Sequence, residues 1–213
     1  MKREAMLSLS AAVLCLAFTP IAAQARPLDT SSSTMNNNIS AQKAAAKRMV
    51  PAQAMLKNTI DAKNARDGQE FQATLDNKVK LKDGQELPRG TVLAGKVVAD
   101  QAHPNGNSKL TLRFTQARLK DGKMIPIKAM ITGAYSQGDP EAQYGSGWTP
   151  SELQIEQLGA MHNGINLHSS VSAKNSGMFV AAKKDDVKLS RGSDLSLAIA
   201  PGRNSSANPL VGN

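Results

Sequence analysis

Apolar and polar residues alternate one for one along several stretches of the chain. Phe71, Ala73 and Leu75 are separated by Gln72 and Thr74, and Leu110, Leu112 and Phe114 by Thr111 and Arg113. Val79 and Leu81 alternate with Lys78, Lys80 and Lys82. Ile125, Ile127, Ala129 and Ile131 alternate with Pro126, Lys128 and Met130, and Leu195, Leu197 and Ile199 with Ser196 and Ala198. A period of two predicts strands with one face inward and one face wet. The apolar run Met178 to Ala182 predicts another strand. The breaks carry turn chemistry: Asp67-Gly68, Asp83-Gly84, Pro104-Asn105-Gly106 and Asp121-Gly122, where glycine supplies the positive φ of tight hairpins. Strands joined this closely, with no helix between them, predict an antiparallel sheet. The fold expected is mainly β, a small antiparallel barrel or sandwich over residues 54–200, because closure removes exposed strand edges.

Three segments depart from alternation. Residues 26–53 begin with Thr, Ser and Asn (Thr30 to Thr34, then Asn36-Asn37-Asn38) and predict a disordered arm. Ala41 to Met49 within it has the composition of a short helix that Pro51 would end, without an apolar stripe wide enough to require a partner. Residues 135–165 predict a loop and helix insertion. Thr149 can cap, Pro150 suits the first helical position and Glu152 completes a capping box. Leu153, Ile155, Leu158 and Met161 give an apolar side, and Asn163-Gly164 a stop, so one short helix is expected at about 150–162. Residues 201–213 predict a second disordered tail.

The N-terminus changes the compartment. Lys2 and Arg3 precede an apolar stretch from Ala5 to Phe18, and Ala23-Gln24-Ala25 has the small residues that a signal peptidase reads. Residues 1–25 are expected to be a signal peptide cut between Ala25 and Arg26, giving a periplasmic or secreted product without a transmembrane span. Cys15, the only cysteine, lies in this leader. The processed chain therefore has neither disulfides nor thiol chemistry.

The formal charge of +9 favours anionic neighbours, and 3% aromatic residues leave little for stacking on bases or sugars. Catalytic patterns are weak. His103, His162 and His168 lack metal-site spacing, no strained G-x-S-x-G elbow occurs, and Gly145-Ser146-Gly147 suits a flexible loop better than a nucleophile. No enzyme activity and no cofactor or metal are expected. The candidate binding face is basic: Lys78, Lys80 and Lys82 on one strand, Lys109 and Arg113 on another, with Lys96 and Lys128. Neighbouring strands would join them into one positive stripe, although lysines also serve on wet sheet faces to block edge pairing.

A faint repeat, V-K-L-x-x-G-x-x-L, occurs at Val79 to Leu87 and at Val187 to Leu195. It predicts reuse of one turn chemistry rather than a duplicated half-barrel. The segments Leu87-Pro88-Arg89-Gly90-Thr91-Val92-Leu93-Ala94-Gly95 and Ala117-Arg118-Leu119-Lys120-Asp121-Gly122 to Ile127 carry a resemblance. With Ile60 to Ala65 and Leu167-His168-Ser169-Ser170, the chain resembles uncharacterised exported β-barrel proteins of soil bacteria, of acidobacterial type. The same segments are similar, over a shorter stretch, to the periplasmic barrel domain of conjugation and type IV secretion channel proteins. These resemblances imply a non-enzymatic barrel module that binds or assembles at the cell envelope, with envelope proteins or anionic polymers as partners. Two alternatives stand beside it: an accessory part of a type IV secretion-like apparatus, and a factor binding glycan, lipopolysaccharide or DNA.

Overall fold

A computed structural model describes residues 31–98, 108–138, 156–161, 165–181 and 187–202. It contains helix α1 (Ser31–Lys47) and strands β1 (Val50–Leu56), β2 (Ile60–Asp61), β3 (Glu70–Leu75), β4 (Val79–Lys80), β5 (Glu86–Leu87) and β6 (Val92–Val98). There follow β7 (Lys109–Arg118), β8 (Met124–Tyr135), β9 (Glu156–Met161), β10 (Ile165–Ser170), β11 (Gly177–Ala181), β12 (Lys188–Leu189) and β13 (Asp194–Pro201). The expected leader, the Pro104-Asn105-Gly106 turn, the start of the 150–162 helix and residues 203–213 lie outside the described residues.

Period-two alternation closes a barrel. The strands run β6-β3-β1-β13-β8-β7, and β7 pairs back onto β6, all antiparallel. The inward residues are those that the alternation marked: Phe71, Ala73 and Leu75, Leu110, Leu112 and Phe114, Ile125 to Ile131 at every second position, and Leu195, Leu197 and Ile199. Six strands make a narrow barrel, and buried apolar side chains occupy its interior. Gly84 and Gly122 take φ of 89° and 86° at the β4–β5 and β7–β8 hairpins, and Gly68 takes 75° in the turn before β3.

Two ribbons, β4–β5 and β12–β2, add Val79, Leu81, Leu87, Ile60, Val187 and Leu189 to the same core. Both copies of the repeat bury the same three positions and turn at a positive-φ glycine, Gly84 or Gly192. Their pairings differ: β4 folds onto β5, whereas β12 pairs with β2. Shared turn chemistry accounts for the likeness.

The arm expected over 26–53 is helix from Ser31 to Lys47 and strand from Val50, so the barrel begins four residues earlier than expected. Ala45, Ala46 and Met49 pack with Met130, Val171, Ala198 and Ala200 in a second apolar cluster on the outside of β8 and β13. That is why β13 is buried on both faces, and why its outward positions are the small residues Ala198 and Ala200. Pro51 is tolerated in β1 because the ladder to β3 begins only at Ala54, so the missing N–H falls where β1 pairs on the β13 side alone.

The helix expected at about 150–162 is corrected over its described part. Residues 156–161 are strand β9, paired with β10 from Glu156↔Ser170 to Met161↔Ile165. Cross-strand pairing overrides the helical spacing of Leu158 and Met161 there. With β11, these strands extend the sheet beyond the barrel: β11 joins β7 at Lys109 to Leu112, while β8 joins the same strand at Gln116 to Arg118.

Candidate functional site

The departure of β8 from β7 creates a fork. Thr115 is an extra residue on β7, since Phe114 faces Gly95 and Gln116 faces Ala94 on β6. Such a bulge bends the strand. Below it β7 pairs with β8, and above it with β11. Ser176, fully buried, sits in the gap. Its N–H donates to the Leu112 carbonyl (2.7 Å), its carbonyl accepts from the Ile131 N–H (2.7 Å), and its hydroxyl accepts from the Phe114 N–H (2.9 Å). One serine thus ties both diverging strands.

The turn 171–176 that delivers Ser176 is held at its other end too. Val171 is buried in the outer apolar cluster, and its carbonyl accepts a hydrogen bond from Lys128 Nζ. Ser169 Oγ donates to the Ile131 carbonyl at 2.7 Å, and Gln42 of α1 reaches Ser172 Oγ at 3.5 Å. Between this turn and the two strands lies an open cleft of about 430 Å³. Arg113 on β7, Lys128 on β8 and Lys174 on the turn line it, with Thr115, Gln116, Ser172 and Ser176. No carboxylate lines it among the described residues.

The residues expected to form one basic stripe, Lys78, Lys80, Lys82, Lys96, Lys109, Arg113 and Lys128, are divided among several elements, with Lys96 and Arg113 opposite each other on β6 and β7. Lys78 pairs with Glu86 at 2.8 Å, and that hydrogen bond and charge, helped by Lys80, hold the Glu86 carboxyl below its ordinary range. Lys82 is exposed in the following turn. Lys96 stands opposite Glu70 on one side and Arg113 on the other, with its ammonium 3.9 Å from Glu70. Lys109 starts β7, opposite Val180. Of the seven, the fold brings only Arg113 and Lys128 into one cleft. Lys174 completes it and went unrecognised in the sequence, because Ala173-Lys174-Asn175 looks like any polar turn before a strand. A smaller neighbouring hollow of about 180 Å³ holds Glu70 beside Lys96 and Arg118, so its charge is mixed.

Away from the cleft, burial pushes the Asp194 carboxyl up. Burial and the neighbouring Asp194 charge raise Asp76, with Arg89 pulling it partly back. A carboxyl raised in the folded state stabilises the protein while protonated, and this contribution is lost as pH rises through its folded-state value. Asp194→Asn is therefore expected to raise Tm at pH 7 and to flatten the decline in Tm between acid and neutral pH. Thermal melts across that range check it, and an unchanged slope would remove Asp194 as the cause.

No family model and no curated protein matches the chain, so the likeness to soil-bacterial exported proteins gains no support from either. Among solved structures, the chain is similar to ComB10 of the Com type IV secretion system of Helicobacter pylori. The identity is 14% and the TM-score 0.34, covering 73% of this chain and 85% of that one. A likeness of that degree carries no argument. Among the described residues, no helix is long and apolar enough to cross a membrane.

Proposed function

We propose that this chain is an exported, non-enzymatic barrel module that works by binding at the cell envelope, with an anionic partner meeting the cleft at the fork. The leader pattern of residues 1–25 supports export. The barrel interior is lined by buried apolar side chains, so charged recognition falls to the outer surface. One observation carries the reading: the cleft gathers Arg113, Lys128 and Lys174 from three elements with no carboxylate among its described lining residues, whereas Lys78 and Lys96 each have a glutamate within 4 Å. A cluster of cationic side chains in a cleft concentrates anions and speeds their capture.

The expected result is retention of the purified protein on immobilised heparin, with elution by salt. Arg113→Gln with Lys174→Gln should weaken binding about tenfold or more, since a hydrogen bond to a charged group contributes about 1.5–3 kcal/mol. Lys78→Gln with Lys82→Gln should change it little. Equal losses in the two double variants would mean diffuse surface charge and reject the cleft. Recovery of both variants in the same large membrane complex would favour the secretion-apparatus alternative.

A further inference from the structure

Apart from the cleft, we infer that the outer face of the β10–β11 hairpin binds a soft monovalent metal ion, copper(I) in kind, between the imidazole of His168 and the thioether of Met178. The register carries this. His168 on β10 stands directly opposite Met178 on β11. Their chain neighbours Leu167 and Phe179 are buried in the core, so the imidazole and the thioether share the other face of the sheet, where both are half-buried. Histidine spacing along the chain does not register a thioether brought alongside by a hairpin.

Span and ligand type both favour a two-coordinate soft ion. Opposed residues on antiparallel strands hold their Cβ atoms about 4.5–5.5 Å apart. Bonds of the length that imidazole nitrogen and thiolate sulfur make to zinc, about 2.0 and 2.3 Å, would put two in-line donors about 4.3 Å apart. Opposed side chains as long as His and Met reach that span from a pairing already made. A thioether is a soft ligand and selects copper(I), whereas calcium and magnesium take oxygens. Structural zinc wants four ligands, and among the described residues no group of three His, Cys, Asp or Glu is placed to hold a metal ion. The row continues from Met178 to Thr111 on β7, which is buried and uncharged. Asn166, Ser170 and Val180, the next residues on the same face, carry no charge to repel a cation, and Lys109 lies one step farther, opposite Val180.

The test is a titration with silver nitrate in chloride-free buffer, silver(I) serving as the air-stable ion of the same softness, followed by NMR of methionine methyl groups and histidine rings in the labelled protein. Saturation near one equivalent is expected, with the Met178 methyl and the His168 ring moving together. Met178→Leu, which nearly conserves side-chain volume, should cancel the His168 ring shift, and His168→Gln should cancel the Met178 shift. Either substitution should weaken binding at least about tenfold, and metal-free spectra that match the wild type away from the pair establish that the variants fold. Shifts shared equally with the exposed Met55 and Met124 would mean isolated thioethers and overturn the inference. A His168 ring shift that survives Met178→Leu would do the same. Zinc nitrate at the same concentration should leave both signals in place, and an equal response to zinc removes the soft-ion assignment. Copper(I) added without oxygen should displace the silver; failure to displace it rejects copper. Heparin retention should be unchanged in both variants, so a failure here leaves the anion-binding reading intact.

Discussion

Gly95→Ala is expected to lower the unfolding free energy by about 2–3 kcal/mol, at the upper end for an overpacked core. A methyl group there would lie 2.5 Å from Phe71 Cζ and 2.7 Å from the Arg113 carbonyl oxygen. The first contact belongs to a ring wedged edge-on against Phe114, with centroids 4.9 Å apart and planes at 68°. The second belongs to the backbone of the facing strand and cannot retreat without opening the β6–β7 seam that closes the barrel. Phe71→Ala should cost about 3–5 kcal/mol for the cavity it leaves. In a Phe71→Leu background, Gly95→Ala should cost less than in the wild type, because the ring edge is gone while the carbonyl remains. Urea unfolding of the four proteins measures that coupling. Strict additivity would show that the Arg113 carbonyl alone excludes the methyl. Because Arg113 stands in the cleft, the same substitution should also weaken anion binding in the folded protein.

Much of this barrel was legible in alternation, and the failures have physical causes. β3, β7, β8 and β13 carry Leu, Ile or Phe inward, so their contrast with polar neighbours is large. β1 turns Ala52 and Ala54 inward and contains Pro51, which erases that contrast. Ala198 reads as part of a wet face of β13, because nothing local says that Ala46 and Met49 cover it. The capping residues Thr149, Pro150 and Glu152 describe how a helix would start. They hold no information about β10, whose six register partners make 156–161 a strand. The basic face failed for a similar reason. Residues two apart share a side, but cross-strand pairing sets Glu70 opposite Lys96 and Glu86 opposite Lys80, within ion-pair reach of Lys78. The cleft needs a bulge at Thr115, a fork and a returning turn, all products of long-range pairing.

Ser176→Ala is the substitution that should separate the fork from the barrel. Removing the hydroxyl leaves the Phe114 N–H without its acceptor in the core, and a buried donor left unmade costs about 1–3 kcal/mol. The Ser176 backbone still donates to Leu112 and still accepts from Ile131, so the turn should remain docked through two of its three ties. Hydrogen exchange distinguishes this from general loosening: the Phe114 amide should exchange much faster, and the Ile131 amide should lose only the protection that global destabilisation removes. Equal acceleration at both sites would mean that the turn detaches as a unit and that the hydroxyl alone holds it. Binding gives the second readout. Lys174 rides on this turn, and Thr115 and Gln116 follow Phe114 directly, so a loosened fork should weaken retention on immobilised heparin although no cation has been removed. The barrel's inward alternation makes the scaffold, but the geometry of the candidate site depends on how one buried serine lets two strands part.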